Sequence, residues 1–158
     1  MKREFSAGGI VYKKIGSESD ELSSRGRAEG EVLWLIRRPT GSRGYRGNLG
    51  WSFPKGWPEQ GESPEETALR ETAEEGGVRA KIVKPLPEVK FFFKDYETGQ
   101  TIEKTVSYFL MEWLEDLAEG FCWETKEARW VGFREAQKLL AYENDKELLK
   151  QAAEKIIS

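Results

Sequence analysis

Residues 56–78 read GWPEQGESPEETALRETAEEGGV, and their spacing decides how the chain is read. Ser63 suits a helix N-cap, Pro64 suits the first helical position, and Glu66 completes an S-x-x-E capping box, so a helix starts here. Gly76 and Gly77 end it, because glycine accepts the left-handed backbone of a helix C-cap. At about 100° per residue, Leu69, Thr72, Ala73 and Gly76 share one face, small enough to lie close on a sheet. Glu71, Glu74 and Glu75 share the opposite face over an arc of roughly 100°. Small Thr67 and Ala68 stand beside them and leave room for a cation and a phosphate chain. Arg70 lies four residues from both Glu66 and Glu74 and can pair with either. Glutamates at helical spacing alone make a solvated face. Here Gly56, Glu62 and Arg70-Glu71 accompany them at fixed spacing, and such a cluster of hard oxygen ligands suits a divalent cation working on phosphate.

Gly56, five residues, Glu62, seven residues, Arg70-Glu71, two residues, Glu74-Glu75, one residue, Gly77 and the aliphatic Val78 together resemble the Nudix box. The chain is thereby similar to the Nudix, or MutT-like, hydrolases of nucleoside diphosphate derivatives. The seven fixed identities coincide by chance on the order of once in 10^8 placements. Thr72 departs from the aliphatic residue usual at its position, but its β-branched shape has nearly the same volume. The resemblance implies an α/β/α sandwich, a mixed β-sheet flanked by helices.

Outside the box, SAGGIVY (6–12) looks like the first Nudix strand, while KTVSYFLME (104–112) and WETKEARWV (123–131) resemble one branch of the family. The entrance WSFPKGWPEQGE (51–62) is similar to the Pro-Lys-Gly form of the branch that cleaves diadenosine and other long polyphosphates. That branch continues with histidine, where Trp57 stands here. The resemblance implies Mg²⁺ (or Mn²⁺) held by Glu71, Glu74 and Glu75, helped by the Gly56 carbonyl and by Glu124 from a later loop. Glu71, Glu74 and Glu127 are candidates for the base that activates water, and Arg70 orients Glu71 or Glu74. Glu62 braces the loop. Lys55 is placed to neutralise a phosphate oxygen, some of Arg37, Arg38, Arg43 and Arg46 around the preceding loop to reach a polyphosphate tail, and Phe92, Tyr108, Tyr45 or Tyr142 to stack on a base.

The expected substrate is therefore a nucleotide or dinucleoside polyphosphate, cleaved at a phosphoanhydride. Three other readings stay open: a pyrophosphatase sanitising oxidised nucleoside triphosphates, an RNA 5′-pyrophosphohydrolase, and a regulatory module that binds a nucleotide without cleaving it. A net charge of −3 argues against nucleic acid as the main partner.

The 158 residues suit a single domain, as a monomer or homodimer. No apolar run reaches membrane-spanning length, the N-terminus lacks a signal-peptide core, and a lone cysteine, Cys122, fits a reducing cytoplasm. The chain has no histidine. That excludes Ser-His and Cys-His catalysis and histidine-bound zinc, and leaves acid/base work to carboxylates.

Apolar alternation predicts strands at 5–13, 31–38, a short 51–53, 78–84, 88–95, 101–113 and 128–132. A hairpin turn is expected at Glu97–Gln100, and the polar 15–30 stretch reads as a long loop. Two C-terminal helices follow, the last with Leu148, Leu149, Ala152, Ala153, Ile156 and Ile157 on one face.

Overall fold

A computed structural model describes residues 1–15, 31–41 and 50–157; the polar 16–30 stretch and Arg43, Tyr45 and Arg46 lie outside the described residues. Among the described residues, seven strands and three helices run in the order β1 (Lys2–Lys14), β2 (Val32–Pro39), β3 (Lys55–Gly56), α1 (Pro64–Gly76), β4 (Val78–Pro85), β5 (Val89–Lys94), β6 (Thr101–Asp116), β7 (Thr125–Val131), α2 (Phe133–Leu139) and α3 (Glu143–Ile157). Among the described residues no helix is long and apolar enough to cross a membrane.

The sheet runs β4-β6-β1-β2-β7, with β3 on β1 and β5 on β6. Its centre is the parallel pair β1–β6, in register from Lys2 opposite Ile102 to Tyr12 opposite Glu112. The other strand pairs are antiparallel, so the sheet is mixed. Strands buried on both faces carry near-continuous apolar runs, and β1 and β6 do so. Ile10, Tyr12, Val106, Tyr108 and Leu110 face one way and meet Ala136 and Leu140 at α2 and Leu148, Leu149 and Ala152 of α3. Ala7, Val11, Phe109 and Met111 face the other way and pack with Ala68 of α1. This is the expected α/β/α sandwich.

Two glycines on β1 set how closely the layers approach. A Cβ at Gly8 would strike the Pro54 carbonyl and Lys55, and one at Gly9 would strike Thr72 and Met111. The backbone of β1 therefore lies directly against β3 on one side and α1 on the other. The hairpin turns as expected, with Gly99 at φ 73° and the Asp95 N–H donating to Gln100 O at 2.8 Å. The expected short strand at 51–53 is corrected: Trp51 and Ser52 make only isolated bridges, to Leu140 and Arg37. The β1 partnership falls instead to Lys55–Gly56, two residues without an alternating pattern to reveal them.

Two buried polar groups lead to predictions. Thr72 is fully buried and its hydroxyl has no hydrogen-bond partner among the described residues. Thr72→Val keeps the volume and removes the unpaired hydroxyl, so the urea midpoint is expected to rise by the equivalent of about 1 kcal/mol with the m-value unchanged. Asp145, in the first turn of α3, is only 3% exposed, and burial pushes its carboxyl up to about 6 from an ordinary 3.8, with Lys55 opposing. The native state thus holds this proton more tightly than the unfolded chain. Its contribution to stability is full below the ordinary pKa and is lost as pH rises through about 6. The stability of Asp145→Asn relative to the parent should grow between those values, by about 3 kcal/mol at most, measured by denaturation at a series of pH values.

Candidate active site

Helix α1 begins as expected. Ser63 Oγ accepts from the Glu66 N–H and Glu66 Oε1 accepts from the Ser63 N–H, both at 3.1 Å. It ends at Gly77, whose φ of 71° lets its N–H donate to Ala73 O. Its buried face, however, differs from the expected one. Thr67, Ala68, Glu71, Thr72, Glu75 and Gly76 are buried, whereas Leu69 is exposed and Ala73 half-buried. Thr67 and Ala68 pack inward rather than making room for a ligand, and two of the three glutamates go inward with them. Glu74 alone stays at the solvent edge, its side chain 45% exposed.

Buried carboxylates need partners; Glu75 finds them beyond the helix, and Glu71 finds one in the neighbouring Arg70 of the same helix. Glu75 Oε1 accepts the Lys55 N–H at 2.9 Å, and its Oε2 lies 3.3 Å from Nη2 of buried Arg37 on β2. Glu71 Oε1 accepts from Arg70 Nη1 at 2.8 Å, and its carboxyl rests where a side chain at Gly56 would stand. Glycine at 56 is thus the condition for β3 and Glu71 to touch. Arg70 pairs with Glu62, Glu71 and Glu74 and donates to Trp57 O; Glu66 is engaged in the capping box instead. Glu62 also accepts from Thr67 Oγ1 and the Glu59 N–H, so it braces the loop, and its Arg70 and Glu59 hydrogen bonds hold it down at about 2. Burial and then the Glu75 charge push Glu71 up to about 7 against Arg70, while burial raises Glu75 against Arg37.

These groups open onto a polar cleft of 560 Å³ lined by Lys55, Gly56, Trp57, Arg70, Glu71, Glu74, Glu75, Lys104 and Glu124, among others. A larger hollow of 720 Å³ between β2, β7, α2 and α3 has a mainly apolar lining, including Leu33, Trp34 and Val131, and contains none of the box glutamates. The box glutamates Glu71, Glu74 and Glu75 open onto the polar cleft alone of these two. Among the described residues no three acidic side chains are drawn into a closed cation cage. Arg70 engages Glu71 and Arg37 engages Glu75. The donors still fit a Mg²⁺-type ion, which is bound through one or two carboxylates with waters and substrate phosphates completing the shell. Glu71, Glu74, Glu75 and Glu124 are all hard oxygen donors at one cleft, and the glycine at 56 brings backbone against Glu71.

The remaining sequence-derived candidates divide. Lys55, Gly56 and Glu124 line the cleft. Glu127 does not; it pairs with Arg38 at 3.3 Å and Arg129 at 2.8 Å, and the latter holds its carboxyl below the usual range. Tyr108 is a core residue, 2% exposed and edge-on to Phe53 at 6.0 Å, so its ring is closed to a base. Phe92 is exposed on β5 and absent from the cleft wall, and Tyr142 is likewise exposed outside it. Lys104 is the residue that sequence reasoning missed. It lines the cleft together with Lys55, and burial, then the Lys55 charge, pushes its ammonium down. The alternation of β6, which sets Lys104 on the face of Val106 and Tyr108, gave no sign of this; the pairing of β6 with β1 brings it to the cleft.

A family model described as the NUDIX domain matches residues 25–152. A Mycobacterium tuberculosis protein named for the mutator MutT4 is 36% identical over 153 residues, 97% of this chain, although the chain spans only 56% of that relative's length. The asymmetrical bis(5′-nucleosyl)-tetraphosphatase of Sus scrofa is 36% identical over 103 residues, covering 64% of this chain and 68% of that protein. The solved structure of a C. elegans Ap4A hydrolase binary complex superimposes with a TM-score of 0.66 over 98% of each chain at 22% identity, a likeness of fold. With the box spacing complete and the family model matching most of its length, the chain belongs to the Nudix family.

Proposed function

We propose that the protein hydrolyses a phosphoanhydride bond of dinucleoside polyphosphates, diadenosine polyphosphates foremost, with Mg²⁺ or Mn²⁺ as cofactor. The observation that carries this reading is the opposition of charge across one cleft: Glu71, Glu74, Glu75 and Glu124 against Lys55 and Lys104. A polyanion needs the lysines and its cation needs the carboxylates. The Pro54-Lys55-Gly56 entrance and the similarity to the tetraphosphatase support the substrate class. A sanitising activity on oxidised nucleoside triphosphates is the second reading, supported by the MutT4-named relative that matches nearly the whole chain.

Glu71, Glu75, Glu74 and Glu124 would hold the cation, with the Gly56 carbonyl beside them. When bound, a divalent cation neutralises phosphate charge and acidifies water. The chain's own residues do the rest. Lys55 and Lys104 fix the phosphate chain as point charges. Arg70 holds Glu62, Glu71 and Glu74 in one frame, so the carboxylates do not reorganise during the reaction. The base is Glu71 or Glu74: the first is buried and pushed up to about 7, the second stands open to solvent. Trp57 offers an exposed ring at the cleft wall, 63% accessible, where a nucleobase can stack.

Turnover of diadenosine tetraphosphate with release of ATP, abolished by chelation and restored by Mg²⁺, is the expected result; turnover confined to oxidised dGTP would move the assignment to the second reading. Glu75→Gln should lower kcat by about 100-fold or more, since it removes a buried cation ligand. Lys104→Ala should raise KM for the polyphosphate by about 10-fold, the worth of one charged hydrogen bond, while leaving Mn²⁺ affinity in place.

A further inference from the structure

Behind the cleft, Arg37 and Thr125 form a junction that the box does not contain. The last carbonyls of a helix lack intrahelical donors. At the end of α1 they are met by the segment leading into β7: the Cys122 N–H donates to Glu74 O at 2.6 Å, and Thr125 Oγ1 donates to Glu75 O at 2.7 Å. The same Thr125 hydroxyl accepts from Arg37 Nε at 3.2 Å, as a hydroxyl with one donor and two lone pairs can. Arg37 Nη2 donates to Glu124 O at 3.0 Å and stands 3.3 Å from Glu75 Oε2. Thr40 adds a second N–H to Glu124 O at 3.0 Å. Arg37 is 7% exposed and Thr125 3%, and neither lines the cleft.

We propose that Arg37 and Thr125 are positioning residues that lock the Glu124 segment to the C-terminal end of α1, making Glu75 and Glu124 a preset pair of cation ligands. The lock presupposes the cation site proposed above. Its strength lies in geometry rather than charge. One guanidinium spans the Glu75 carboxylate, the Glu124 carbonyl and the Thr125 hydroxyl, three groups from two segments distant in sequence. An ammonium at the same place keeps the charge but cannot present that fork. A residue serving only to balance the buried Glu75 would tolerate lysine, and Thr125 would then be dispensable.

Mn²⁺ titration of the full chain without substrate, followed by electron paramagnetic resonance, separates these cases. Thr125→Val and Arg37→Lys are each expected to weaken Mn²⁺ binding by about 10- to 100-fold, the usual effect of removing a residue that orients a ligand. Thr125→Val should add nothing further in a Glu124→Gln background, because it acts through Glu124. Should Arg37→Lys fail to fold, the near-isosteric Thr125→Val still decides. Wild-type affinity in Thr125→Val, alongside weakened binding in Glu75→Gln and Glu124→Gln, would overturn the lock and leave the cation site standing. An undiminished additional loss from Thr125→Val in the Glu124→Gln background would also overturn it. Unchanged affinity in both Glu75→Gln and Glu124→Gln would overturn the cation site itself, and the lock with it.

Discussion

The seating of two glutamates of α1 against a glycine-edged strand is the contact on which the rest of the structure depends. Glu75 takes the Lys55 N–H, and Glu71 occupies the space a side chain at Gly56 would fill. Burying two carboxylates side by side is costly, as their raised proton affinities record. The cost is offset by Arg70 on one side and Arg37 on the other. Removing one partner of such a pair leaves an uncompensated buried charge, worth about 3–5 kcal/mol. The arginines are therefore part of the fold as much as part of the site.

From that contact the architecture follows outward. The close fit of α1 over β1 requires Gly8 and Gly9, and the parallel pairing of β1 with β6 then carries Lys104 to the same cleft as Lys55. The segment before β7 closes the far side by satisfying the helix's terminal carbonyls, and so delivers Glu124. Negative charge is gathered on the helix and its docked loop, positive charge on the strands. The cleft between them carries carboxylates on one wall and the lysines Lys55 and Lys104 on the other.

Much of this was legible from local pattern. The capping box, the left-handed Gly77 and the glutamate spacing are contained within one helix, and they appear where the spacing put them. Helix orientation was not legible. Amphipathic reasoning turned the glutamates away from the sheet and Leu69 toward it, because the groups that let Glu75 go inward, Arg37 and the Lys55 N–H, lie 38 and 20 residues away. Tyr108 was misjudged for the opposite reason: its place between Val106 and Leu110 on a strand's apolar face already made it core. Lys104 and the Arg37–Thr125 junction depend on strand pairing across the sheet, which short-range periodicity does not encode.

The central claim is that the inward-facing glutamates of α1 form a cation site at the edge of β3. Crystals soaked in Mn²⁺ test it most directly, through an anomalous difference map. A manganese peak within coordination distance of the Glu75 carboxylate, with Glu71, Glu74 or Glu124 contributing further oxygens, is the predicted result. Manganese bound elsewhere, with Glu75 still held by Arg37 and Lys55 and no density in the polar cleft, would contradict the account.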